Sequence, residues 1–368
     1  MKGVQLRRRA ATLKPQSEEA TVKATRARSS RRRLRQPSLP LLNGLARYLK
    51  HCYFHACRRN VDVALDALDF RRRPAERRPV LRFSDYDRRG SSAVHASCDG
   101  LLLLSLPNGT FYICNPATRQ WTRLPRLHGF ARGLYRHSSS GEYRILYRGW
   151  GRFGCYYVRT VTSAKPRCVE APPIMGSVST PPVLLHGRLH WAVPVSRSQE
   201  KGLVVFDTVA ESFRAWRMSC PADGNWPWVN LLEMDGTLGI TRTDESSMVL
   251  QLWVLQDYET ETWSLKYRIQ LPIMEVASIG QKCSFFNACS VSKEGDVLFR
   301  TDLSRGDLFH CDSKGKLLQK LHWDHVSSHV SGQWFKESLV RHDLFERRDG
   351  LRRVSQPRFF SGLSSTFE

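Results

Sequence analysis

From Val94 onward, apolar residues come in short runs, many of them alternating with polar ones, and each run is cut by one of two polar signatures. The fullest copy is VHASCDGLLLLSLPNGTFYICNPATRQWTRLP, residues 94–125. An apolar run enters the turn Asp99-Gly100, an unbroken run Leu101–Leu104 leaves it, a second run ends at Asn115-Pro116, and Trp121 opens a third. Weaker copies use His186-Gly187 with Asp207 and Phe213, Asp235-Gly236 with Asp257 and Trp263, and Glu294-Gly295 with Asp312. Asp-Gly and His-Gly supply the positive φ angles of a tight hairpin. An apolar run too short for a helix and bounded by turn residues reads as a strand buried on both faces. Asn115 and Asp257 read as Asx turns, with Pro116 pre-setting φ at the next position. The Trp or Phe that follows reads as the start of an outer strand.

The spacing of the turns makes this a repeat. Gly100 to Gly187 is 87 residues, Gly187 to Gly236 is 49 and Gly236 to Gly295 is 59. With units of roughly 40–50 residues, as in propeller blades, the first interval holds two. The additional one falls at Tyr143–Val169, where YRILYRG and CYYVRTV alternate in the manner of strands. The pattern predicts an all-β chain, a β-propeller-like domain of about five to six four-stranded units. A β-sandwich is the alternative that hairpins alone leave open. Residues 297–324 are expected to close the ring against Val80–Phe83, and the chain from Pro357 is expected to fray. The domains so drawn are a disordered basic tail (1–37), a short helical segment (38–75), the β domain (76–345) and a frayed C-terminal tail (346–368).

Charge changes this picture less than its total suggests. The net charge is +23, but residues 1–90 hold 24 of the 57 Lys and Arg and only 8 of the 34 Asp and Glu. The excess belongs to the N-terminal stretch, where Arg31, Arg32, Arg33 and Arg35 form a nuclear-targeting candidate; a nucleic-acid arm and a transit peptide compete with it. A basic charge confined to a tail argues against nucleic-acid binding as the main task. The hydrophobic content of 41% supports a sizeable core, and no apolar run reaches membrane-spanning length. Cys114, Cys155, Cys168 and Cys311 lie singly in strand-like segments, which reads as small core residues in an intracellular, reducing compartment of the nucleus or cytoplasm.

Candidate chemistry is thin. His51, Cys52, His55 and Cys57 are metal-ligand types, but their spacing fits no closed zinc site. His186, His190, His322, His325 and His329 could include a general base, yet they stand in strand or surface contexts. No Gly-x-Ser-x-Gly elbow, phosphate-cradling loop or His-Glu-x-x-His helix occurs. The sequence therefore implies a binding protein without catalytic residues or cofactor, and aromatic and basic loops are the expected partner-binding residues: Tyr135, Arg136, Trp150, Arg152, Phe153, Trp226 and Trp228.

HASCDGLLLLS followed by FYICNPATRQWTRLP resembles the start of the F-box-associated domain of plant F-box proteins. LHGRLHWAVP (185–194), VVFDTVAESFRAWRMS (204–219), LQLWVLQDYETETWSLKYRIQLP (250–272) and FKESLV (335–340) resemble further segments of that domain, in the same order. The resemblance covers about residues 80–345. It implies a kelch-related β-propeller that presents a protein substrate to a Skp–cullin–F-box ubiquitin ligase, with a helical F-box binding the Skp-type adaptor and, through it, the cullin. Such a receptor accelerates transfer by proximity alone. The segment where that module would fall opens with Leu39, Pro40, Leu41 and Leu42 and keeps a helical period at Leu45 and Leu49. These six are the adaptor-binding candidates, although the family's Val-Cys-Lys/Arg-x-Trp core is absent and no Trp precedes Trp121. The segment thus reads as a degenerate F-box or its remnant, and a free-standing propeller interaction module, or a decoy that has lost adaptor binding, is the alternative function.

Overall fold

The computed structural model describes residues 39–48, 60–69, 73–85, 93–106, 109–150, 155–171, 181–193, 202–217, 229–234, 236–244, 248–276, 286–292, 294–301, 307–321, 327–345 and 359–360. The period-2 patterning forms six antiparallel sheets of four strands each. Blade 1 takes β1 (Leu39–Tyr48), β2 (Asn60–Asp69) and β3 (Glu76–Asp85) from one end of the chain. Blade 2 is β4 (Ala93–Cys98), β5 (Leu101–Ser105), β6 (Phe111–Asn115) and β7 (Gln120–Arg123). Blade 3 is β8 (Gly129–Arg136), β9 (Tyr143–Gly149), β10 (Tyr156–Thr160) and β11 (Arg167–Val169). Blade 4 is β12 (Val183–Leu185), β13 (Arg188–Val193), β14 (Gly202–Asp207) and β15 (Ser212–Arg217). Blade 5 is β16 (Val229–Met234), β17 (Thr237–Asp244), β18 (Val249–Asp257) and β19 (Thr262–Gln270). Blade 6 is β20 (Phe286–Val291), β21 (Val297–Thr301), β22 (Leu308–Cys311) and β23 (Leu317–Leu321). Finally β24 (Ser327–Phe335) returns to blade 1 and pairs with β1, so the sheet runs β24-β1-β2-β3.

The first strand of each sheet is the inner one. These strands touch from blade to blade: β24 with β4, β4 with β8, β12 with β16, β16 with β20, and β20 with β24. Each blade buries both faces against its neighbours, and the apolar clusters form a ring of six seams. One joins blades 1 and 2 through Leu41, Leu65 and Leu81 against Leu102, Tyr112 and Cys114. The others join blades 2 and 3, 3 and 4, 4 and 5, 5 and 6, and 6 and 1. This explains the unbroken run at Leu101–Leu104: Leu102 and Leu104 face blade 1, whereas Leu101 and Leu103 face blade 3. Six seams in a closed ring set the β-sandwich aside.

Several expectations are corrected. Residues 39–48 and 60–69, read as helical, are strands paired in register from Leu41 with Ala67 to Tyr48 with Asn60. The reason is visible in hindsight: Val61, Val63 and Leu65 alternate, and Leu41 and Leu45 satisfy a strand period as well as a helical one. The β domain therefore begins at Leu39 rather than at residue 76. Residues 297–324 do not close the ring on Val80–Phe83; they form blade 6 with β20, and closure comes from β24 on β1. In the C-terminal segment, Phe359 is fully buried against blades 1 and 2 instead of frayed. Cys114 and Cys311 are buried, but Cys155 and Cys168 are exposed, Cys168 lying on the outermost strand of its blade. Among the described residues, helix is confined to α1 (Ile273–Val276) and a 3-10 turn at Asp343–Phe345. Residues 1–37, including Arg31, Arg32, Arg33 and Arg35, lie outside the described residues, as do Leu49, His51, Cys52, His55 and Cys57.

Candidate functional site

Strand alternation gives the ring two faces. In blades 2 to 6 the turns that join the first and second, and the third and fourth, strands lie on one face. The strand ends that lead from second to third strands, and from blade to blade, lie at the other, here the loop face.

The turn face holds the repeated motifs, and their geometry is structural. Asp99 and Gly100 have φ of 50° and 82°, and His186 and Gly187 have 47° and 69°, the two positive angles of a type I′ hairpin. Asp207 Oδ1 accepts from the amides of Val209 and Ala210, both at 2.9 Å, and Asp257 Oδ1 from Glu259 and Thr260 at 2.8 and 3.1 Å. Asn115 and Asp312 cap their turns in the same way. These turns also latch blades together. Glu211, itself at positive φ, accepts at Oε1 from the Tyr135 hydroxyl and from Arg144 Nη1, both at 2.7 Å, and at Oε2 from Arg167. Burial raises the Glu211 carboxyl, but the bonds from Arg144, Tyr135 and Arg167 outweigh it and hold the group below the usual range. His190 is fully buried, with Nδ1 3.2 Å from Val183 O and Nε2 2.8 Å from the Tyr258 hydroxyl of blade 5; burial pushes its imidazole down to about 4. His186 and His190 are thus scaffold groups, while His322 and His325 lie outside the described residues.

A strap follows β24 across this face. Asn115 Nδ2 donates to Ser338 O at 3.0 Å and to Val340 O at 3.3 Å, and Ser338 sits so close over Gly100 that a Cβ there would overlap its own. Leu344 and Phe345 then pack into the seam of blades 2 and 3. The Asp99-Gly100, Asn115-Pro116 and Glu-Ser-Leu motifs, far apart in sequence, are one joint in space.

The loop face carries the exposed aromatic surface. Trp150 is 56% exposed and Phe130 57%. The Trp150 amide donates to His128 O at 3.4 Å, their rings are 6.1 Å apart, and Phe130 pairs across the strands with Arg148. Strand register therefore puts His128, Phe130, Arg148 and Trp150 on one side of blade 3, at its loop-face end. Arg132 stands close by: burial pulls its guanidinium below the usual range, and the charge of Arg148 adds to that. Among the described residues, the ion pairs of blade 3 all cluster at its turn-face end, where Arg144 and Arg167 meet Glu142 and Glu211. The opposite end carries Phe130, Arg148 and Trp150, with Glu170 following β11 at its outer edge.

Of the sequence-predicted residues, Trp150 is placed on this surface. Tyr135 is not: it is fully buried in the seam of blades 3 and 4, so it cannot touch a partner. Arg136 is exposed on the turn face, its Nε donating to Gly141 O at 3.1 Å. Arg152, Phe153, Trp226 and Trp228 lie outside the described residues; the strands flanking them, β9 and β10, and β15 and β16, bracket connections that leave from the loop face. Leu39, Pro40, Leu41, Leu42 and Leu45 lie in β1 between β24 and β2, and Pro40 and Leu41 are buried, so they form no helical adaptor-binding surface. Phe130 and His128 were missed. The signal for Phe130 was an aromatic at a polar position of an alternating strand, legible only once its facing was known.

Among the described residues no helix is long and apolar enough to cross a membrane, and no group of three or more His, Cys, Asp or Glu could hold a metal ion. An F-box protein of Arabidopsis thaliana is 27% identical over 214 residues, covering 48% of this chain and 56% of that protein. A second F-box protein of the same plant is 36% identical over 92 residues, 24% of this chain and 22% of the other. An Arabidopsis F-box/kelch-repeat protein is 24% identical over 217 residues, 55% of this chain and 52% of the other. The chain thus spans about half the length, or less, of the curated relatives it matches. Residues 80–342 match the F-box associated beta propeller domain, and the chain belongs to that family.

Proposed function

We propose that this propeller is the protein-recognition part of a Skp–cullin–F-box ubiquitin ligase, holding a target protein on its loop face around Phe130, Arg148 and Trp150. The observation that carries the reading is the family membership of residues 80–342, with F-box proteins among its relatives. Exposure supports this location: aromatic and arginine side chains dominate interface hot spots, and blade 3 presents both at the end opposite the Glu142 and Glu211 ion pairs. The contribution of such a domain to ubiquitin transfer is positional, which agrees with a surface of contact groups. The free thiols of Cys98, Cys114, Cys155, Cys168 and Cys311 fit an intracellular setting.

A second reading is favoured by one observation. Residues 39–48 and 60–69 are blade strands and not the helices of an adaptor-binding module, so the propeller could act as a free-standing interaction module. A pull-down of the full chain with purified Skp-type adaptor and cullin separates the two. Capture that persists on deleting residues 1–37, which spares every described strand, supports the ligase reading with an adaptor surface on the propeller unit. Capture lost with that deletion supports it with the surface in residues 1–37. No capture in either case overturns it in favour of the free-standing module.

A further inference from the structure

The outer edge of blades 1 and 2 carries a second contact surface, independent of the loop face. Strand β3 ends its sheet, and an edge strand presents backbone groups able to pair with another segment. Here the segment is the chain's own: the Arg82 amide donates to Phe359 O at 3.2 Å, and Arg82 and Phe360 form a parallel bridge. The Phe359 ring is fully buried among Phe83, Tyr112 and Trp121, at centroid distances of 5.2, 5.2 and 5.6 Å, all edge to face. Edge-to-face packing is the favoured aromatic geometry. The walls of this pocket come from β3, β6 and β7, strands of two blades. Arg82 is fixed from behind, its guanidinium donating to Leu65 O at 3.0 Å and Leu81 O at 2.8 Å and pairing with Asp66.

We propose that this cleft is a docking site for an extended peptide segment of a partner protein carrying a phenylalanine, and that Phe359-Phe360 occupies it as a tethered stand-in. Main-chain pairing to an edge strand gives such a site its affinity, and the aromatic pocket its selectivity. The occupant is two described residues long, joined to the strap by the thirteen residues 346–358. An incoming peptide has to displace the resident segment, so it binds the occupied site more weakly than the empty one.

The probe is a fluorescein-labelled peptide of residues 353–364, RVSQPRFFSGLS, titrated by fluorescence polarisation into the full chain and into the full-length variant Phe359→Ala/Phe360→Ala. At least roughly tenfold tighter binding to the variant, lost when both phenylalanines of the peptide are alanine, supports the proposal. Equal binding to both proteins, or no binding to a variant that keeps the wild-type melting transition, overturns it. So does a concentration-dependent dimer with exchanged C-terminal segments, which would make the occupant a second copy. Should the variant fail to fold, the wild-type chain with the same peptide bearing a benzophenone at the first phenylalanine gives the answer: crosslinks to Glu76–Asp85 or Gln120–Arg123 support the site, and crosslinks elsewhere overturn it.

Discussion

Replacing Glu211 with alanine tests the idea that the turn face holds the ring together. Glu211 is buried at the last turn of blade 4, yet all three of its side-chain donors, Tyr135, Arg144 and Arg167, belong to blade 3. Truncation removes the acceptor from a fully buried hydroxyl and from two guanidinium groups. Breaking a buried charge pair from one side costs about 3–5 kcal/mol. Arg144 and Arg167 keep 19% and 58% of their side-chain exposure and regain water in part, which places the expected loss near the low end, about 3 kcal/mol. An unfolding entropy of about 2.1 cal/mol/K per residue gives roughly 0.7 kcal/mol/K for the Ser38–Glu368 unit, so the melting temperature should fall by about 4 °C. The sign with pH is fixed as well. The folded-state carboxyl is held below its ordinary value of 4.5, so its stabilisation is fully present above that pH and is lost as pH falls through the folded-state value. Melts followed by circular dichroism should show a gap between wild type and Glu211→Ala at neutral pH that narrows below about pH 4. A variant melting within about 1 °C of wild type at pH 7 would refute the latch.

Gly315 and Gly236 have φ of 82° and 85°, but a Cβ at Gly315 would overlap the Gln270 carbonyl oxygen, whereas nothing lies within 4 Å of one at Gly236. Gly236→Ala should thus cost only the left-handed backbone term of about 1–2 kcal/mol, and Gly315→Ala about 3 kcal/mol or more, read from urea midpoints. Asn115→Ala should free the strap, and amide exchange at residues 338–342 should rise at least tenfold while β5 and β6 stay protected. His190, held down to about 4 when folded against an ordinary 6.5, makes the unfolded chain bind the extra proton; as pH is lowered from 6.5 toward 4, stability should fall by up to about 1.4 kcal/mol for each unit, and His190→Asn should remove that share of the slope.

Much of the architecture was legible because it is local. Asx turns, paired positive-φ residues and alternating strands are properties of four to ten consecutive residues; the turns located hairpins of blades 2, 4, 5 and 6 directly, and alternation marked blade 3. Blade 1 was not legible, because β1 finds its inner neighbour in β24, almost the full chain away. Nothing in Leu39–Tyr48 alone distinguishes a strand awaiting a distant partner from a short amphipathic helix. The same non-locality hid Phe359, whose pocket is made by two blades, and hid the burial of Tyr135, whose hydroxyl partner is in the next blade. Trp150 was readable as an exposed aromatic because turn-flanking aromatics are exposed where no seam covers them; Phe130 needed the strand's facing, which pairing with β9 supplies.

The most direct test of the account is the thermal unfolding of the chain lacking residues 1–75 beside the chain lacking residues 1–37. The longer deletion removes β1 and β2 and leaves β24 and β3 without their partners, so the propeller should lose its cooperative transition, while the shorter deletion should melt with the full chain. An unchanged midpoint after deletion of residues 1–75 would contradict it, and would mean that residues 39–69 form a separate module appended to a ring that closes without them.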